Sequence, residues 1–267
     1  MKQTTAYLLL ICLVSAMGGL LFGYDWVVIG GAKIFYEPFF QLENSAALRG
    51  WAMSSALIGC LVGALLSGKW SDRYGRKKML IMAAFLFILS AVGTGATSDF
   101  NWFIIYRIIG GLGIGIASNV SPGYIAEVSP ASIRGKLVSL NQLTIVLGIL
   151  FAQIANWLIG DGFTAPDGTL TADGIEWAWR WMFWAELIPA VLFFILAFII
   201  PESPRWLAAF GQEEKKYIGK HWPSRMSEMY CLSESSWPFS NNGVASTSSL
   251  IMLMRSFLQP VMPYRMY

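Results

Sequence analysis

Charge is scarce in this sequence. Asp, Glu, Lys and Arg make up 13% of its 267 residues, about half the quarter usual in soluble domains. Bases exceed acids by only three, too few for a nucleic-acid binder, so no nucleic-acid partner is expected. Histidine is almost missing. The single His221 has no Ser-His-Asp, Cys-His or metal-ligand constellation around it, so neither an enzyme nor a metal site is expected. The three cysteines, Cys12, Cys60 and Cys231, exclude a disulfide framework and show no metal spacing. No cofactor is expected. What is abundant is apolar surface: 55% of residues are apolar and 26 glycines add about another tenth, against roughly 45–50% for the same count in soluble domains. Such a chain has too little polar surface to stay in water, so lipid is its solvent.

The gaps between charges organise the chain. Residues 3–24, 50–68, 79–98, 108–126 and 137–160 are free of charge, and 181–200 contain only Glu186. Each run is about the 20 residues needed to cross roughly 30 Å of hydrocarbon. They predict an all-α membrane protein, a six-transmembrane-helix bundle over 1–210 with spans near 6–30, 50–68, 79–98, 102–123, 137–160 and 181–200. The first run is too long for a signal-peptide core and continues into Asp25-Trp26-Val27-Val28 without a small-residue cleavage site, so it reads as an uncleaved span. With the N-terminus inside, the inner segments hold eight bases (Lys2, Lys69, Arg73, Arg76, Lys77, Lys78, Arg134, Lys136) and the outer ones three (Lys33, Arg49, Arg180). That satisfies the positive-inside rule and puts both termini in the cytoplasm. The pairs Gly19/Gly23, Gly59/Gly63 and Gly111/Gly115 are spaced i,i+4, as close helix packing requires. The glycines of GGLGIGIAS lie inside a span with no strand before them, which excludes a nucleotide loop.

The text changes after about Gln212. The one long charge-free stretch there, 235–254, holds nine Ser, Thr or Asn residues and cannot be a seventh span. Residues 211–267 are expected to form an irregular cytoplasmic tail with at most one interfacial helix.

Asp25, Arg107 and Glu186 fall inside apolar runs. A charge near the bilayer centre costs about 2.5–3.5 kcal/mol or more, so such groups pair or face a water-filled cavity. One base and two acids leave one carboxyl able to exchange a proton. A static pair that fixes helix register is the plainer reading, and Glu186, six residues from Arg180, could also snorkel outward.

Three motifs carry more. Residues 68–78 read GKWSDRYGRKK, with five bases, an Asp and two glycines in eleven residues, which suggests a tight loop against other cytoplasmic ends. Residues 122–136 read PGYIAEVSPASIRGK, and 201–207 read PESPRWL after a helix entry WRWM at 179–182. Together these resemble the signatures of sugar porters of the major facilitator superfamily, bacterial sugar–proton symporters above all. The resemblance covers about residues 6–212. It implies that Asp25 sits where proton-coupled members carry Asp, that Arg107 pairs with it, and that Glu186 belongs to the same cluster. It implies a cytoplasmic gating network of Asp72, Arg73, Arg76, Glu127, Arg134, Glu202 and Arg205. Gln142 matches a sugar-contacting amide and Phe22 an aromatic lining position. Ile149 stands where xylose-type members have Gln and glucose carriers have Ile, which tilts the substrate toward a hexose over a pentose.

The family has twelve spans in two six-helix repeats with the sugar between them. The motifs here cover only the first repeat. The expectation is therefore a proton-coupled sugar transporter of the inner membrane, present as a truncated N-terminal half with a divergent, frameshift-like tail, and inactive unless a C-terminal half completes it. Its expected partners are a small-molecule sugar, the proton and the bilayer. A non-transporting membrane sensor or assembly partner reusing the half-fold is the alternative.

Overall fold

The computed structural model describes residues 2–165 and 169–209, with side chains from residue 6 onward. The tail expected from 211, with His221 and Cys231, lies outside the described residues. Helices α1 (Lys2–Phe39), α2 (Ala46–Tyr74), α3 (Arg76–Ala96), α4 (Phe100–Val128) and α5 (Arg134–Gly162) follow one another. A π-helical turn (Gly174–Ala178) then runs into α6 (Trp179–Ala185), α7 (Leu187–Ile199) and the short α8 (Pro204–Ala209). Six of the described segments are long and apolar enough to cross a membrane, the sixth running from Gly174 to Ile199.

The helices outrun the charge-free stretches because charged residues fit into their ends. At 38 residues, α1 is about 57 Å long, well beyond a hydrocarbon core, so Lys33 and Glu37 near its far end form an i,i+4 pair at 3.7 Å. Polar caps start the helices. Ser45 Oγ accepts from Leu48 N–H at 3.3 Å, and Asp99 Oδ1 accepts from Asn101 N–H at 2.8 Å, each satisfying an orphan amide. The sixth span is interrupted at Glu186. Pro189 has no N–H to give the Ala185 carbonyl and its ring crowds that group, so α6 ends at Ala185 and α7 restarts at Leu187.

Glycine decides where the backbones meet. A Cβ on Gly59 or Gly63 would strike the carbonyls of Ile108 and Leu112, and one on Gly111 or Gly115 would strike those of Ala56 and Cys60. The predicted small-residue pairs of α2 and α4 are thus two sides of one crossing. Gly23 and Gly148 do the same for α1 and α5, against the Ile145 and Leu20 carbonyls. With no hydrophobic drive between helices in lipid, such close approach supplies the attraction. α1 and α4 pack together in the middle, α5 flanks α1, α2 flanks α4, and α3 joins α4 to α6 and α7. α2 and α5 are left with apolar ridges exposed, Leu57, Leu61 and Leu65 on one and Leu150, Ile154 and Trp157 on the other.

The expected loop at 68–78 is barely a loop. α2 continues to Tyr74 and α3 begins at Arg76, so Gly75 alone joins them, at φ +93°, a conformation that favours glycine. Gly68 is helical. The bases at this end are displayed on helix termini instead.

Candidate functional site

The polar groups inside the bundle form a layered set. Deepest is an ion pair: Arg107 Nη1 of α4 donates to Asp25 Oδ1 of α1, with both residues buried. The Arg107 guanidinium also lies 5.5 Å from the centre of the Phe183 ring. Asp25 Oδ2 and Arg107 Nε have no hydrogen-bond partner among the described residues. Glu186, at the break between α6 and α7, is buried and within electrostatic reach of both charges. It does not reach outward to water. Its backbone stays helical at φ −64°, ψ −23°, and its side chain falls on the buried stripe with Met182, Phe183, Ala190 and Phe193, so all three charges singled out in the spans gather in one cluster.

Toward the base-rich end, hydroxyls and an amide tie α1, α4 and α5 together. Ser15 Oγ donates to the Ser121 carbonyl at 3.2 Å, Ser121 Oγ to Asn141 Oδ1 at 2.9 Å, and Thr144 Oγ1 to the Ala16 carbonyl at 2.7 Å. Gln142 and Ile149 of α5 are exposed and Phe22 of α1 is half-buried. Gln142 and Ile149 are two turns apart on α5, about 10 Å, and Phe22 lies alongside this stretch, because the vacant Cβ positions of Gly19 and Gly23 face Asn141, Ile145 and Ile149.

At the base-rich end Arg76 is the hub. It reaches Asp72 at 3.1 Å and Glu127 at 3.0 Å, and donates to the Ser71 carbonyl at 3.1 Å. Ser203 Oγ donates to the second Glu127 oxygen. Glu202 works through the main chain: its Oε1 accepts from the N–H groups of Arg76, Lys77 and Ser203 at 2.9–3.0 Å. A carboxylate on the first amides of α3 also complements the helix dipole. Burial pushes the Glu202 carboxyl above its usual range, against those hydrogen bonds and the Arg76 charge, which act to lower it. The other expected members are placed differently. Arg73 is exposed, 5.5 Å over the Tyr74 ring; Arg134 donates to the Ser129 carbonyl at 3.4 Å; Arg205 is exposed on α8.

Sequence reasoning missed Arg180. It was counted as an outer-loop base, yet it is buried. It donates to the carbonyls of Gly95 and Glu176 at 2.8 and 3.0 Å and to Ser98 Oγ at 3.2 Å. Its guanidinium lies 4.6 Å from the Trp179 ring centre and 5.1 Å from that of Phe39. The signal was its company: Trp177, Trp179, Trp181 and Trp184 surround it in sequence, and Arg stacks on aromatic faces.

Comparison with known proteins agrees with this arrangement. Residues 11–256 match the family described as Sugar (and other) transporter; that match continues past Gln212, further than the motifs carry. The glucose transport protein of Synechocystis sp. is 47% identical over 239 residues, covering 85% of this chain and 50% of that protein. The D-xylose–proton symporter of Escherichia coli is 44% identical over 238 residues, covering 80% and 47%. Among solved structures, the xylose transporter XylE from E. coli, in a partially occluded inward-open conformation, superposes with a TM-score of 0.76 at 37% identity, covering 86% of this chain and 58% of that one. The chain spans about half the length of the curated relatives it matches. It belongs to the sugar transporter family and is a multi-pass integral membrane protein with a major facilitator six-helix fold.

Proposed function

We propose that this member of the sugar transporter family takes part in proton-coupled sugar transport, with Asp25, Arg107 and Glu186 as its coupling cluster. The observation that carries the reading is the burial of two acids around one base. A single guanidinium cannot neutralise both carboxyls, so one of them can take up a proton when the bundle opens to one side and give it up on the other. Gln142, an amide able to donate to and accept from hydroxyls, together with Phe22 and Ile149, lines the sugar's path on α1 and α5. The names of the relatives support a hexose or pentose as cargo.

Arg76, Asp72, Glu127 and Glu202 hold α2, α3, α4 and the end of the sixth span together at the base-rich end, with Arg205 exposed beside them on α8, and Arg73 and Arg134 stand at its rim within reach of charges on a facing body. Such contacts, those of Arg73 and Arg134 at the rim and of the Arg76 hub, can close one side of a transporter and must break when it opens. The excess of bases puts this end, and both termini, in the cytoplasm of a cell with the chain in its inner membrane. The open ridges of α2 and α5 call for a second helical body, which the relatives' greater length also suggests. On this reading the chain alone binds sugar, and transport requires that body.

Equilibrium binding of labelled D-glucose and D-xylose to the chain in lipid nanodiscs tests this. Binding should depend on pH, weaken about tenfold in Gln142→Ala, the loss of about 1.4 kcal/mol, and lose its pH dependence in Asp25→Asn. A chain that binds neither sugar at any pH is instead the sensor or assembly partner, and the transport reading fails.

A further inference from the structure

A second groove, not used by the coupling cluster, opens between α1 and α5 toward their acid-rich ends, with a volume of about 390 Å³, within the range of small-molecule pockets. Gly31 and Phe35 line it from α1, and Gln153, Asn156, Trp157 and Asp161 from α5. Buried Met182 of α6 adds to its apolar wall.

The polar side chains of this groove are out of place for a lipid-facing surface. Gln153 is exposed nine residues before the end of α5, about 14 Å below it at 1.5 Å per residue. An exposed amide at that depth is costly in hydrocarbon and belongs in a water-filled cavity. Asn156 is built in rather than hanging free. Its Nδ2 donates to the Val27 carbonyl at 3.4 Å, and a Cβ on Gly31 would collide with the same amide, so the missing side chain at Gly31 is what admits it. Its Oδ1 has no hydrogen-bond partner among the described residues. Trp157 is 68% exposed beside them, and Asp161 is exposed at the rim. Gln142, Gln153 and Asn156 lie at helix phases of 0, about 20 and about −40°, a single stripe along α5.

We infer that this groove is a second monosaccharide site, an outer station about 16 Å along α5 from Gln142. The inference rests on the sugar reading above and adds a place to it. The exposed Gln153 amide, which both donates and accepts, suits an array of hydroxyls, and the unpartnered Asn156 Oδ1 lies buried behind it. An indole face offers a flat apolar plate for the C–H face of a pyranose, and a rim carboxylate accepts strong charge-assisted hydrogen bonds. None of the lining residues is a base, which disfavours anions. An organic cation, drawn by Trp157 and Asp161, is the competing occupant.

The test uses the whole chain in nanodiscs, with two readouts taken together: labelled D-glucose binding, and sugar-dependent tryptophan emission scored as the difference between the chain and its Trp157→Phe variant. D-glucose should change the Trp157 signal. Gln153→Ala, an exposed change that leaves the helix contacts intact, should raise the glucose concentration that half-saturates the Trp157 signal about tenfold, and Gln142→Ala should shift the midpoint of that signal less than twofold. The site is overturned if labelled glucose binds without any Trp157 difference. It is also overturned if Gln142→Ala shifts that signal as far as Gln153→Ala does, or if tetramethylammonium produces it at lower concentration than glucose. No glucose binding in either readout overturns the sugar reading and this site with it.

Discussion

Substituting Asn for Asp25 removes one charge from an ion pair whose side chains are 4% (Asp25) and 2% (Arg107) exposed. Water cannot replace the lost carboxylate at that burial. Breaking a buried pair by removing one partner costs about 3–5 kcal/mol, because the other charge is left uncompensated. Glu186 acts on the same guanidinium and takes up part of the deficit, so Asp25→Asn alone should fall near 3 kcal/mol. In a Glu186→Gln background it should approach 5 kcal/mol. Replacing both partners by apolar residues, Asp25→Leu with Arg107→Met, removes both desolvation penalties and should restore most of the loss. Thermal unfolding of the purified chain in one detergent reads this out. At about 2–4 °C per kcal/mol for a chain of this size, the single substitution should lower Tm by about 6–12 °C. An Asp25→Asn chain that melts within 2 °C of the parent, or an apolar double variant as unstable as the single, would refute the assignment of this pair as a buried, mutually dependent unit.

Four further outcomes follow from the packing and the caps. Gly111→Ala puts a methyl into the Ala56 carbonyl and should cost about 1–3 kcal/mol by overpacking, whereas Gly123→Ala, with open space at its Cβ, should stabilise by about 0.5–1 kcal/mol; paired melting curves check both. Gly75→Ala combines φ +93°, ψ 160°, a backbone region essentially confined to glycine, with a collision against Glu202 and should lose about 1–3 kcal/mol, seen as a lower yield of monodisperse protein. Because burial raises the Glu202 carboxyl in the folded chain, the fold holds that proton at pH values where the unfolded chain has released it. Its contribution to stability is therefore full below the ordinary carboxyl range and fades as pH rises through the raised value; Glu202→Gln should flatten this slope in melts taken across pH 4–8. Arg180→Gln should destabilise by about 1.5–3 kcal/mol, the worth of hydrogen bonds from a charged donor, and Arg180→Lys should recover little, since an ammonium lacks the fork that spans Gly95 and Ser98.

Much of the fold was legible because lipid makes sequence blunt. A charge-free run of twenty residues has few places to go, and the Gly59/Gly63 and Gly111/Gly115 pairs marked faces fit for close packing, without saying that they meet each other. That Asp25, Arg107 and Glu186 would not stand alone was readable for the same reason, since an isolated charge there is too expensive; which acid the arginine takes was implied only by the family resemblance. Depth was harder to read. Glu186 and Arg180 are six residues apart on one segment; counting along the chain left Glu186 able to snorkel outward and grouped Arg180 with the outer bases. Glu186 falls on the buried stripe with Met182, Phe183, Ala190 and Phe193, and the burial of Arg180 comes from rings contributed by α1 and its own segment. The first is a matter of helix phase, and the second is a tertiary outcome that spacing does not encode. The stretch at 68–78 was misjudged because its glycines and charges look like loop chemistry, whereas Gly75 alone breaks the helix and the other residues keep helical geometry with their charges at the ends. Glu202 was read only as one member of a charge network; the main-chain amides at the start of α3 that hold its carboxylate leave no mark in sequence.

The single-residue joint at Gly75 has a consequence for how this hairpin can change over time. Two long helices joined by one residue share a phase: adding or deleting a residue there would rotate α3 by about 100° relative to α2. Arg76 would swing away from Glu127, and Gly93, whose vacant Cβ position receives the Tyr106 ring, would turn a different face to α4. Point substitutions around the joint are survivable one at a time, while a change of length is not. The α2–α3 turn should therefore be the connection in this chain that tolerates neither insertion nor deletion, even though it is also among its most highly charged.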